Sequence, residues 1–301
     1  RKPLTLRMAS RNKATRWICL TINSPPTQRR LEARAGDGTL QRARRMLPFD
    51  YQEFPPSPAL AGHVRCYWRG VSRVAPFETP PPQRVLPDGC TDIVLHLADA
   101  GHALRSAQVV GTMTRPLTFS LAKTSEHLGI RFHPGCAAAL FGVSAGELTD
   151  RSAGLDTLWA GECASEQLAG KRSLDARLRW LERQLLRRLD RVAGTALLTK
   201  RVAALIRETG GRLRIDELTA RTGCTRQYLG RVFAEHLGVS PKHYARIERF
   251  VQLAKRVDRT PAAGWADLAA EHGYYDQAHL IHEFREFTGL APETYLATEA
   301  G

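Results

Sequence analysis

Between Met46 and about residue 155 the apolar positions come in short runs separated by turn residues. RCYWRGVSRV (65–74), TDIVLHL (91–97), AQVVGTM (107–113), LTFSL (117–121) and EHLGIRF (126–132) each read as a strand, bounded by TPPPQ, PDGC, ADAGH and HPGC. Alternation in TDIVLHL sends Asp92, Val94 and His96 to one face and Ile93, Leu95 and Leu97 to the other. The period changes to a helical one in GCAAALFGVSAGELTD, where Ser144 or Gly146 starts a short helix carrying Glu147 and Leu148. RSLDARLRWLERQLLRRLDRV then sets Leu174, Leu178, Leu181, Leu185 and Leu189 on one stripe at spacings of three and four. Such a stripe needs a partner surface, either its own domain or a second copy in a homodimer; it is shorter than the ~3–4 heptads that argue for a coiled coil.

Downstream, TGCTRQYLGRVFAEHLGVSPKHY (222–244) and HGYYDQAHLIHEFREFTGLAPETY (272–295) repeat one pattern. Leu218 pairs with Leu268, Ala220 with Ala270 and Gly223 with Gly273. After one inserted residue, Leu229 pairs with Leu280, Phe233 with Phe284, Gly238 with Gly289, Pro241 with Pro292 and Tyr244 with Tyr295. These are scaffold positions of a helix-turn-helix. In the first copy Asp216 is expected to cap a helix with Leu218 facing inward, and Gly223 to supply a turn at positive φ. Thr225 is expected to cap a second helix anchored by Leu229 and Phe233. SPKHYARIERFVQLAKRVD continues as a long helix with Ser240 as cap and Pro241 in its first turn, and it joins the copies rigidly.

With 301 residues, 43% of them hydrophobic, the chain has core enough for about two domains. No run approaches the ~18 apolar residues of a membrane span, and no signal-peptide pattern is present, so the sequence reads as a cytoplasmic protein, nucleoid-associated when bound to DNA. Six cysteines lie far apart without a C-x-x-C spacing and are read as reduced and structural. The net charge of +14 points to a polyanionic partner only after it is located. Residues 1–45 hold 12 Lys and Arg against 2 acids, and residues 46–199 hold 17 against 15. Residues 200–259 hold 14 against 6, and residues 260–301 hold 1 against 7, so only the first of the twins is basic. The 1–45 stretch has no sustained period and is expected to be disordered. It reads either as a basic arm on DNA phosphates or as sequence upstream of a true start at Met46; the second reading is preferred, and the stretch receives no functional weight.

A double helix-turn-helix ending in a Gly-aromatic, an Asp, a Phe-Arg and G-x-x-P-x-x-Y, here GYYDQAHLIHEFREFTGLAPETY, resembles the C-terminal domain of the AraC/XylS transcription regulators over about a hundred residues. RVLPDGCTDIVLHL and LGIRFHPGCAAALFGVSAGELTDRSAGLDTLW are similar to the N-terminal domain of one AraC-type subgroup. The resemblance implies an α+β chain: a β-rich sensor-like domain followed by an all-α DNA-binding domain of two helix-turn-helix subdomains on a linker helix. The expected boundaries are a 1–45 tail, a 46–170 regulatory domain, a 171–194 amphipathic connecting helix and a 195–301 DNA-binding domain.

It also implies double-stranded DNA as partner, a small-molecule effector, and contact with RNA polymerase. In the first recognition helix the base-facing positions fall on Gln227, Gly230 and Arg231, with Thr225 and Arg226 near phosphate; in the second they fall on Gln277, Ala278, His279 and His282, with Arg285 near the backbone. Arg231 suits guanine and Gln227 adenine. Gly230 brings no reader, and His282 stands where the family commonly has Arg, so unequal halves are expected, the first supplying most of the affinity.

His279, His282 and Glu283 lie at helical spacing, but sequence places no third type of ligand with them, and the expectation is no metal and no cofactor. Arg84, Asp88, Asp92 and His96 cluster around one strand and are the candidate effector-binding residues, although turn chemistry alone accounts for Asp88-Gly89. A DNA-repair enzyme or adaptor carrying an AraC-like module is the alternative. Alkyl transfer requires an activated cysteine in a Pro-Cys-His-Arg setting, which the sequence lacks, as it lacks G-x-S-x-G, H-E-x-x-H and G-x-G-x-x-G. The chain is therefore read as a regulator and not an enzyme.

Overall fold

The computed structural model describes residues 49–73, 83–98, 103–119, 124–192, 194–259 and 264–300. The 1–45 tail, with its expected disorder, lies outside them. Among the described residues eight strands precede the C-terminal helices: β1 (Phe49–Phe54), β2 (Val64–Arg73), β3 (Gln83–Val85), β4 (Asp92–Ala98), β5 (Ala103–Val110), β6 (Leu117–Phe119), β7 (Thr124–Phe132) and β8 (Ser152–Gly154). Six form an antiparallel sheet in the order β1-β2-β7-β4-β5-β8, while β3 and β6 pair separately. The five sequence-predicted strands all appear; β1, β3 and β8 are additions.

Register explains the two faces. Ile93 opposes Ile130 and Leu95 opposes Leu128, and with Val109 and Phe132 they enter one apolar core. The short helices α1 (Ala138–Phe141), α2 (Ala145–Leu148), α3 (Leu155–Leu158) and α4 (Ala164–Ala169) supply more of that core through Leu140, Phe141, Leu148, Leu155 and Leu168. Ser144 caps α2 in a capping box with Glu147. The leucine stripe belongs to α5 (Leu174–Leu186), where Leu178, Leu181 and Leu185 are buried in the same core. The stripe is thus packed against its own sheet.

After a 3-10 turn at Leu189–Arg191 the chain is all helical: α6 (Gly194–Glu208), α7 (Ile215–Thr222), α8 (Arg226–His236), α9 (Pro241–Arg259), α10 (Trp265–His272), α11 (Gln277–Thr288) and α12 (Pro292–Ala300). Helices α6, α7 and α8 close around Val202, Ile206, Leu218, Leu229 and Phe233. A second core collects Phe250, Leu268, Leu280, Phe284, Phe287 and Tyr295 along α9 to α12. Leu218 and Leu268, Leu229 and Leu280, Phe233 and Phe284, and Tyr244 and Tyr295 therefore occupy equivalent core positions in two helix-turn-helix units, whereas the paired Ala220 and Ala270 are exposed. Gly223 (φ 65°) and Gly273 (φ 74°) end α7 and α10 in the left-handed region, which a side chain would strain. One sequence expectation is corrected: the cap position of α7 is Arg214, whose extended backbone precedes the helix without a side-chain cap, and Asp216 sits inside the first turn.

Candidate nucleic-acid interface

The two helices expected to read DNA are α8 and α11. Thr225 caps α8, its hydroxyl accepting from the Tyr228 N–H at 3.2 Å, and Asp276 caps α11 by accepting from the His279 N–H at 2.7 Å. Counting from these caps puts Gln227 level with Ala278, Tyr228 with His279, and Arg231 with His282. Arg226, Gln227 and Arg231 are exposed, with Gln227 and Arg231 one turn apart on the same face. The Arg231 guanidinium lies 5.2 Å from the Tyr228 ring centre, which steers it along the helix surface. Arg226 pairs with Asp216 at 2.7 Å, but both side chains are about 70% exposed, so that pair yields easily to a phosphate.

On α11, Gln277, Ala278, His282 and Arg285 are exposed. His279 is half-buried and held at both nitrogens: Nδ1 accepts from the Tyr275 N–H at 3.2 Å, and Nε2 lies 3.3 Å from Glu283 Oε1. Tyr275, which sequence reasoning passed over, is 92% exposed just ahead of the cap. Its signal was a second aromatic after the turn glycine, where the first copy has a single small residue.

Linker helix α9 runs for 19 residues, about 28 Å at the rise of an α-helix. Ser240 caps it by accepting from the His243 N–H at 3.2 Å. The β-rich half rests on this helix and on both subdomains. Leu86, from the loop after β3, is 2% exposed in the core of the second subdomain beside Ile247 and Phe250. Gly89 (φ 73°) lies so close beneath the Tyr244 ring that a Cβ would overlap it. The Thr149 hydroxyl donates to the Gly238 carbonyl at 2.8 Å in the turn after α8, and Pro116 stands 3.7 Å from where a Cβ of Gly289 would be, in the equivalent turn after α11.

The four N-terminal candidates divide. Asp88 and Asp92 converge on Arg131, which is 2% exposed, at 3.8 and 3.2 Å. Trp68 Nε1 donates to Asp92 at 3.0 Å. Burial raises the Asp92 carboxyl above its usual range, against the pull of the Arg131 charge. Asp88 also accepts from the Cys90 N–H at 2.9 Å, shaping the loop that carries Leu86 and Gly89. His96 pairs instead with His127, their ring centres 4.6 Å apart, and Arg84 lies on the separate β3–β6 ribbon.

Residues 218–298 match a family described as a helix-turn-helix domain. Over 90 residues, 30% of this chain and 66% of its relative, the sequence is 27% identical to the HTH-type transcriptional activator AarP of Providencia stuartii. Its C-terminal helix-turn-helix domain is of the AraC type. The remainder of the chain includes a match over residues 52–154 to a domain of unknown function. Among solved structures, ToxT of Vibrio cholerae O395 is 11% identical with a TM-score of 0.40, over 78% of this chain and 98% of that one. A second ToxT crystal form gives 10% and 0.39, over 78% and 99%. Among the described residues of the chain no helix is long and apolar enough to cross a membrane.

Proposed function

We propose that the regulator reads two successive major-groove segments of double-stranded DNA, and that a small-molecule effector acting on the β-rich half gates this reading. Arg226, Gln227 and Arg231 serve the first groove; Gln277, His282 and Arg285 serve the second, and Thr225 lies close to phosphate. The carrying observation is that both recognition helices expose polar side chains while the β-rich half touches the turn that ends each of them, at Gly238 and Gly289. A linker helix of about 28 Å supports readers on grooves ~34 Å apart. The effector surface is the sheet face bearing Asp92 and His96, because Asp88 ties that face to the loop lying on α9.

Selection of sites from random duplex DNA by the full chain should enrich two conserved blocks about 10 base pairs apart. A single block would overturn the two-groove reading. Repeating the selection with fractionated cell metabolites should change its yield with at least one fraction; no change with any fraction would overturn gating.

A further inference from the structure

At one buried position an apolar residue of the first helix-turn-helix unit is replaced by an acid in the second. Seven residues past its cap, α8 carries Val232, 1% exposed among apolar neighbours, and α11 carries Glu283, 2% exposed. A carboxylate taken out of water is strongly unfavourable unless charge and hydrogen bonds compensate. Here both compensating charges come from the linker helix. Arg246 Nε donates to Glu283 at 2.7 Å, and Arg249 Nη2 donates to both carboxylate oxygens at 3.1 Å. Burial would raise the Glu283 carboxyl, but the Arg246 hydrogen bond and the charges of Arg249 and Arg246 bring it below the usual carboxylate value.

The contacts continue beyond the acid. Arg249 Nη1 donates to the Gly273 carbonyl at 3.2 Å, and its guanidinium lies 4.7 Å from the Tyr274 ring centre, so one side chain grips both α11 and the turn leading into it. Within α11, the His279 Nδ1 that accepts from Tyr275 leaves the proton of a neutral ring on Nε2, where it faces Glu283. The first unit is seated differently: Thr195 Oγ1 and His236 Nε2 lie 2.8 Å apart, and the Thr199 hydroxyl donates to the Val232 carbonyl at 3.3 Å.

We propose that Glu283 is a positioning residue for the second reader: with Arg246 and Arg249 it fixes the pitch of α11 on the linker helix, and His279 serves this clamp instead of a base. The proposal rests on the two-groove reading. Glu283 determines specificity without touching DNA, by setting where Tyr275, Gln277 and His282 arrive.

The test uses full-length protein and the duplex enriched by the wild type, with either block scrambled in turn, read by fluorescence anisotropy. Glu283→Gln keeps the side-chain shape and removes its charge. Discrimination between intact and scrambled second block should fall at least fivefold, while first-block discrimination and the far-UV circular dichroism stay unchanged. Second-block discrimination kept within twofold overturns the clamp. If Glu283→Gln does not fold, Arg249→Met, which empties the clamp from the linker side, is read by the same criterion. A wild type that recognises one block alone removes the two-groove reading and this proposal with it, an outcome distinct from a clamp without effect.

Discussion

Leu86 belongs by sequence to the β-rich half and by packing to the DNA-binding half, where it is 2% exposed beside Ile247 and Phe250. Leu86→Ala would leave a void among these residues. Core leucine truncations cost about 2–5 kcal/mol, and a loop can settle into part of the space, so about 2–3 kcal/mol is expected here. The lost contact lies between the halves, so the loss falls on their docking, a weakening of roughly 30- to 150-fold at ~1.4 kcal/mol per decade. Wild-type protein should unfold in one calorimetric transition and resist limited proteolysis between the halves; Leu86→Ala should show two transitions and faster cleavage. Leu95→Ala, which removes a side chain buried inside the sheet core, serves as comparison: it should cost as much stability without opening the folded chain to the protease between its halves. A single unshifted transition and unchanged cleavage in Leu86→Ala would refute the idea that this loop carries docking energy.

In DNA binding, Arg231→Ala should cost about 1–3 kcal/mol and relax specificity at one base position, with His282→Ala costing less; equal losses in a titration of both variants would reject unequal halves. Lowering the pH from 7 to 5 should lower the melting temperature. His127 and His133 are held down to about 4, mainly by burial, so they stay neutral when folded yet take a proton near 6.5 when unfolded. The folded state therefore binds fewer protons in this window, and stability drops as the pH falls, by at most about 1.4 kcal/mol per pH unit for each group. The raised Asp92 carboxyl acts in the opposite direction from above its usual value downward. A melting temperature that is flat or rises toward pH 5 would contradict this assignment.

What was legible in the sequence followed from periodicity under one-sided burial. Strand β4 alternates buried and half-buried positions along its whole length, because a one-residue slip would expose Ile93, Leu95 and Leu97 together. The repeat was legible because one scaffold needs the same residue types at the same places: glycines at positive φ, and Leu229 with Leu280 and Phe233 with Phe284 in the cores. Strands β3 and β8, three residues each, are too short to show a period. Edge strand β1 (FDYQEF) alternates only as far as Gln52, with Glu53 falling where the next apolar residue would be. Asp216 was misplaced because an acid in the first turn and an acid at the cap look alike in sequence. The Glu283 clamp joins residues 34 and 37 positions apart, and no local pattern encodes such a pairing. Its one sequence signal is an acid in the second copy opposite Val232 in the first.

That clamp also changes how the charge asymmetry should be read. By count the basic half ends at residue 259 and the acidic half begins at 260, and a polyanion would seem to meet attraction followed by repulsion. Yet three arginines of the first half are set against acids of the second: Arg246 and Arg249 on Glu283, Arg246 also on Glu286, and Arg256 on Glu271 at 3.4 Å. Discounting those three on each side reduces +8 and −6 to about +5 and −3. Buried pairs are screened far less than exposed ones, so the pairs on Glu283 hold α11 to the linker helix at ionic strengths that weaken phosphate contacts, whereas the Arg256–Glu271 pair is exposed and is screened. Among the acids of the second unit, Glu283 faces inward onto the linker helix, with Glu286 half-buried beside it. On the proposed reading, the unit's exposed Gln277, His282 and Arg285 act on DNA through geometry more than through net attraction. On the same proposed reading, duplication leaves one unit to supply affinity and another whose buried acid, Glu283, holds its own reader in place.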